Sequence, residues 1–261
     1  MRVGSGSNLH AGLPTWGKLL LFGRPEQDRP DLPPTLKPSQ SRRSSDDKSF
    51  LVGPYPVDLC LGFVNTLSWR GRAEPVETLY SSADLFNWVE HSEVLPRASI
   101  AEARNWARDH EKQAAQGFVE AIVVREALFA IFSAIAAGAV VARKDFQILE
   151  AALARGPHRT RLVSTANGYA WSGPARRITI YEVLAPILWS AGDLLASSGD
   201  RRIRCCANDE CLWLFIDQSK TNSRRWCDMQ SCGNRAKAQR HYARSRQSPG
   251  HASRRSSGNE G

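Results

Sequence analysis

The sequence predicts a mainly α-helical fold: a helical bundle with a small β-hairpin, followed by a small cysteine-rich module of treble-clef-like form. Three observations predict it. Apolar residues recur at helical spacing over much of residues 82–198. A single Asn167-Gly168 pair stands between two short runs suited to strands. Five of the six cysteines fall between residues 205 and 232.

Taken in order, residues 1–47 are rich in Gly, Pro, Ser and Arg without periodicity, and read as a disordered tail. Residues 50–199 read as the helical domain. Ser82 is placed to cap a helix that turns Leu85, Trp88 and Val89 to one side and stops before Pro96. Ser99 and Glu102 form a capping-box pattern that would open a helix through Gln116. The strongest periodicity runs from Phe118 to Ala137 through Phe118, Ile122, Phe129 and Phe132, with Gly138 suited to a left-handed stop. Asp145 to Arg155 gives a further helix burying Phe146, Leu149 and Leu153. Arg161–Ser164 and Tyr169–Trp171 flank Asn167-Gly168 as a tight hairpin. Tyr181 to Ser198 returns to helical spacing, and Pro186 either kinks that helix or sets its start. Residues 200–246 form the cysteine module, and 247–261 a basic, Ser/Arg/Gly-rich disordered tail.

Charge and hydropathy narrow the function. The chain has 261 residues and a formal charge of +9, yet residues 201–261 hold 13 Lys/Arg against 5 Asp/Glu. A near-neutral body with a basic end is the asymmetry of a nucleic-acid or anionic-surface binder. The longest apolar candidate, Phe118 to Val141, is interrupted by Glu120, Arg125 and Glu126, well short of the ~18–20 apolar residues that span a bilayer. Leu19 to Phe22 is too short for the ~7–15-residue apolar segment of a secretory leader. The expected compartment is therefore cytoplasmic, where clustered cysteines more often hold metal than pair as disulfides.

Cys206 and Cys211 are separated by four residues, and Cys227 and Cys232 likewise. Two such pairs can deliver four thiolates to one tetrahedral Zn²⁺, with the neighbouring Cys205 left open as an alternative first ligand. Residues 212–217 alternate as a short strand would, and the second pair stands at the entrance to a helix. Knuckle, strand and ligand-bearing helix make the module a treble-clef-like zinc-binding unit. Four thiolates close the coordination shell, so the zinc is structural, one per chain, and no catalytic residues are expected. A deaminase reading of His91-Ser92-Glu93 fails because the required Pro-Cys-x-x-Cys is absent. Cys60, alone within Leu59–Val64, reads as a core residue.

The stretch from Cys206 to Arg235 resembles the CGNR zinc-finger family through Trp213-x-Phe215-x-Asp217, Ser223-Arg-Arg-Trp-Cys227 and Cys232-Gly233-Asn234-Arg235. Leu61-Gly62-Phe63-Val64-Asn65-Thr66 is similar to the motif that opens the ABATE domain of the same proteins, with Gly62 where that motif has Asp. The resemblance covers about residues 50–246. It implies a bacterial stress-induced transcription regulator that binds zinc and DNA, with the ligands on Cys206, Cys211, Cys227 and Cys232.

Lys237, Arg240 and Arg244 share one face of the last helix, and Arg224 and Arg225 precede the third ligand. With Arg235 they are the expected nucleic-acid contacts, since cations on a rigid helix suit phosphates and Arg can read guanine. DNA is the expected partner; RNA binding, docking of an acidic protein by a zinc-stabilised adaptor, and a homodimer remain open. Asn65, Thr66 and Trp69 are candidates to line a pocket for an unknown small-molecule effector, or else to cap a turn.

Overall fold

The computed structural model describes residues 49–166, 168–174, 177–197 and 202–247. The expected tails, 1–47 and all of 247–261 except Gln247, lie outside these residues, as does Asn167 of the hairpin turn. In chain order the elements are β1 (Ser49–Val52), α1 (Leu59–Val64), α2 (Ser82–His91), α3 (Arg97–Asp109), α4 (Glu111–Ala136), α5 (Arg143–Arg155), β2 (Arg161–Thr165), β3 (Gly168–Pro174) and α6 (Ile180–Ala196). The cysteine module adds β4 (Ile203–Cys205), β5 (Leu214–Ile216), a π-helical turn at Met229–Gly233 and α7 (Asn234–Gln247).

Helix α6 forms the centre. Its residues are apolar on nearly every side, from Ile180 and Val183 to Ala191 and Leu194, and all of these are buried, as expected of a helix surrounded by others. Thr179 and Glu182 make a complete capping box at its start. Pro186 therefore sits inside the helix and does not set its beginning. Ser190 is the polar residue in this wall. Its hydroxyl donates to the Val57 carbonyl (3.0 Å) and accepts the Cys60 N–H (3.1 Å), which ties α1 to α6. Cys60 is fully buried beside it, and burial pushes its thiol up to about 12.

Helix α4 lies across α1, α2, α3, α5 and α6. It ends in a Schellman motif: Gly138, at φ +66°, lets its own N–H reach Ile135 O and the Ala139 N–H reach Ala134 O. The hairpin pairs β2 with β3 in antiparallel register, Leu162 opposite Trp171. Strand β1 adds to the other edge of β3, Val52 opposite Trp171, and carries Phe50 and Val52 into the core. That third strand was not expected.

Four local expectations need correction. Helix α2 is capped by Ser81, whose hydroxyl accepts the Asp84 N–H, one residue before the expected cap. Helix α3 begins after Pro96 with no side-chain cap, so Ser99 and Glu102 fall inside it. It does not run on to Gln116. His110 leaves helical geometry (φ −136°, ψ 51°), stacks on Trp106, and its Nδ1–H donates to the freed Trp106 carbonyl at 2.9 Å. On α5, Phe146 is 43% exposed and Leu153 half-buried, leaving Leu149 as the fully buried contact. Among the described residues no helix is long and apolar enough to cross a membrane.

Candidate metal centre and nucleic-acid interface

The metal centre is assembled from two short backbone devices. The first is the turn Cys206–Cys211, closed by Cys211 N–H to Asn208 O (2.8 Å) and Cys206 N–H to Trp213 O (2.8 Å). Leu212 takes a left-handed conformation, φ 57°, as the chain leaves it for β5. The second is the π-helical turn, where Gly233 N–H reaches Asp228 O across five residues (3.0 Å) and the Asp228 carboxylate caps the Ser231 N–H (2.7 Å). This wide turn carries Cys232 at the foot of α7.

The two devices bring Cys206, Cys211, Cys227 and Cys232 together, with their sulfurs all within 4.8 Å of one another. Cys211 and Cys227 stand 3.7 Å apart, and Cys227 and Cys232 3.8 Å. A Zn–S bond of ~2.3 Å gives a tetrahedron with S···S edges of about 3.8 Å. The donors therefore fit zinc in number, chemistry and spacing. Cys205 stays outside the cluster: its Sγ faces the Leu212 carbonyl at 3.5 Å, and the four-sulfur group includes Cys206 in its place.

Thiol contacts from Cys211 and Cys227 hold the Cys206 thiol well below the usual cysteine range, helped by the main-chain N–H groups of Cys227 and Asn208. Those same contacts push Cys211 and Cys227 up. Crowded alone, the sulfurs compete for negative charge. A divalent cation at their centre lets all four ionise.

Beyond the ligands, Asp217 organises the loop that returns to Cys227. It is buried and accepts the Ser219 hydroxyl (2.6 Å), the Ser219 N–H (3.0 Å) and the Arg224 N–H (3.0 Å). The Ser219 bonds lead in holding its carboxyl below the usual range. Arg235 pairs with Glu210 at 3.8 Å.

The module is seated on the helical body through a shared wall. On β5, Leu214 and Ile216 enter the main core, as does Ile203 of β4, while Phe215 packs with the zinc cysteines. All three β5 residues are thus buried, with Leu214 and Ile216 on one face and Phe215 on the other, the alternation expected of a short strand. The Asn65 amide completes the seam: its Nδ2 donates to Leu214 O (2.9 Å) and its Oδ1 accepts Leu214 N–H (3.0 Å).

Of the three residues expected at a pocket, Asn65 also lines a cavity on this seam, whereas Thr66 and Trp69 line none of the described cavities. Thr66 is buried, donates to Phe63 O (2.7 Å) and receives Arg125. Trp69 packs against the zinc cluster, with the guanidinium of Arg72 at 3.9 Å from its ring centre and that of Arg235 at 4.7 Å. Arg72 also pairs with Glu210 at 2.9 Å.

Gly71 makes this docking close, its N–H donating to Glu210 O at 3.1 Å. A methyl group on Gly71 would overlap the Asp209 carbonyl and lie 2.9 Å from Glu210 Cα, both rigid backbone. Gly71→Ala should accordingly lower stability by roughly 1–3 kcal/mol in urea unfolding, with zinc content retained. Unchanged stability would mean that this contact does not hold the seam.

The six expected nucleic-acid contacts divide. Arg224, though exposed, folds back on its own module, donating from Nε to Trp226 O (2.9 Å) and from Nη2 to Cys227 O, with its guanidinium 4.8 Å from the Phe215 ring centre. Arg235 goes to Trp69 and Glu210. Arg225 and Arg240 lie at 5.2 and 5.9 Å from the ring centre of Trp226. Lys237, Arg240 and Arg244 are exposed on α7. Every described side chain of α7 from Asn234 to Ser245 is exposed, except half-buried Ala236, and the helix contains no Asp or Glu.

Two family models match the chain. The CGNR zinc finger matches residues 202–245, and ABATE, described as "Putative stress-induced transcription regulator", matches residues 57–198. No curated protein matches it.

Proposed function

We propose that this chain, which belongs to the ABATE family by a match over more than half its length, is a DNA-binding regulator that docks α7 on duplex DNA from a zinc-built base. One observation carries the reading. Helix α7 buries almost nothing in its own protein, bears Lys237, Arg240 and Arg244 with no Asp or Glu in its own sequence, and is anchored at its foot by Cys232. A helix polar all round has little packing to stabilise it, and one of a single sign is suited to a polyanion. Arg225, gathered with Arg240 on Trp226, extends the same positive surface. The coordination chemistry favours a binding protein over an enzyme, because four thiolates fill a tetrahedral zinc and leave no position for substrate. Arg224 and Arg235 act in this reading as braces that set the direction of α7.

The test is DNA affinity of the full, zinc-loaded chain across a salt series. Neutralising about four phosphates gives a log–log slope of roughly −3 to −4. Replacing Lys237, Arg240 and Arg244 together by alanine should flatten that slope by about 2–3 with zinc content unchanged. Full affinity in the triple variant would overturn the assignment of α7 as the DNA surface.

A further inference from the structure

A cavity of about 480 Å³ opens on the seam between the helical body and the zinc module. That volume lies within the ~300–1,000 Å³ typical of small-molecule sites, which favour boundaries between structural units. The body contributes Asp58, Gly62 and Ser92; the module contributes Trp213, Gln218 and Arg224. Asn65, whose amide holds the seam, also lines the cavity, but the other polar groups are not spent on that contact. The Asp58 carboxylate makes no capping bond to α1 although it stands at the N-cap. The Gln218 amide has no hydrogen-bond partner among the described residues, and Arg224 spends Nε and Nη2 on main-chain carbonyls but not Nη1. Asp58 and Arg224, on opposite walls, form no ion pair with each other. Trp213, 37% exposed, supplies an aromatic surface, and Gly62 leaves the floor open, since a Cβ there would meet only Trp88 at 3.5 Å.

We infer that this cavity is an effector site for a small zwitterion with a flat apolar body, the chemical class of the aromatic amino acids. Its anionic group pairs with Arg224, its ammonium with Asp58, and its body lies against Trp213. The inference deepens the regulator reading and rests on it for the consequence of binding. Arg224 holds the carbonyls of Trp226 and of the ligand Cys227, so a molecule joining Asp58 to Arg224 links the body to the foot of α7. A ligand shifts the balance between two arrangements only by binding one of them better, and a molecule touching both walls satisfies that condition for the docked arrangement.

The experiment is isothermal titration of the full zinc-loaded chain with L-tryptophan, L-phenylalanine and L-leucine. Tryptamine and indole-3-propionate, each lacking one charge, serve as comparisons. The expected result is saturable binding of the aromatic amino acids at up to millimolar concentration. Binding should fall tenfold or more for either half-molecule and for Asp58→Asn, the loss expected for a charge-assisted hydrogen bond. Gly62→Phe fills the cavity and should abolish binding with helicity and zinc content unchanged. Should that variant misfold, Asp58→Asn and the half-molecules decide, since Asp58 is exposed. No binding of any amino acid, equal binding of the half-molecules, or undiminished binding in Asp58→Asn would overturn the site. Repeating the DNA salt series with saturating L-tryptophan separates the two readings: ligand binding by a chain with no DNA affinity overturns the regulator reading and leaves the site standing.

Discussion

Replacing Cys227 by serine should release the zinc, unfold residues 202–247 and destabilise the helical body with them. The metal's effect reaches past its ligands because the module shares much of its apolar surface with the body. Ile203, Leu214 and Ile216 are buried in the main core, and β4 and β5 pack on α4. Fully burying an aliphatic side chain is worth ~1.5–3 kcal/mol, so exposing these three costs roughly 5–9 kcal/mol as an upper bound. A whole domain is typically stable by ~5–15 kcal/mol. Zinc loss is therefore expected to lower the melting temperature of the entire chain, not to produce a separate early transition. Thermal unfolding followed by far-ultraviolet circular dichroism, with metal content measured on the same samples, checks this. Cys205→Ser supplies the contrast, keeping one zinc per chain because Cys205 lies outside the cluster. A zinc-free Cys205→Ser, or a zinc-loaded Cys227→Ser, would refute the ligand set. A body that melts unchanged without zinc would refute the shared core.

The cysteine cluster was legible because ligation imposes a spacing that survives without knowledge of the fold. Two x₄ pairs name their chemistry wherever the chain places them. Helices α4 and α6 were legible for a similar reason, since each repeats its apolar residues often enough to outweigh local noise. Strand β1 was not. Four residues carry little periodic signal, and its partner β3 lies more than 110 residues away in the chain. Caps failed where a short motif met a stronger constraint. Ser99 and Glu102 match a capping box, yet Pro96 starts the helix three residues earlier; the complete box is formed by Thr179 and Glu182 on α6. The basic residues show what sequence spacing leaves undecided. Arg224, Arg225 and Arg235 look equivalent in the chain, but Trp69 and the Trp226 and Cys227 carbonyls take two of them for the protein's own bracing. Trp69 lies 166 residues before Arg235, a pairing with no local signature.

Arg125 is the residue whose role was hardest to foresee, and Arg125→Met should cost about 3–5 kcal/mol, the range for breaking a buried ion pair from one side. In the sequence it reads only as an interruption of the apolar run in α4. In the fold its side chain is 2% exposed and donates to both oxygens of Glu77, at 2.7 and 2.6 Å. It also reaches Glu126 at 2.9 Å and the Thr66 hydroxyl at 3.2 Å. Arg70 closes the network, bonding Glu126 at 2.6 Å and Val64 O at 3.1 Å. These bonds fix the loop between α1 and α2, the segment that carries Asn65, Trp69 and Gly71 to the zinc module. Losing the guanidinium should thus weaken both the body and its seam.

A second variant separates charge from packing. Arg125→Met with Glu77→Gln should recover part of the loss, because the amide oxygen can still accept the Thr78 and Leu79 N–H groups while no carboxylate is left unpaired. Acid gives an independent readout. Burial pushes Glu77 and Glu126 up, but guanidinium bonds outweigh it and hold both carboxyls below the usual glutamate range. A depressed carboxyl contributes stability that is complete above its unfolded value, near 4.3, and is lost as pH falls through the folded one. Urea unfolding between neutral pH and about pH 3 should therefore show a steep acid loss in the native chain and a shallower one in Arg125→Met. Equal slopes would show that Arg125 stabilises the fold by filling space rather than by holding these two carboxylates.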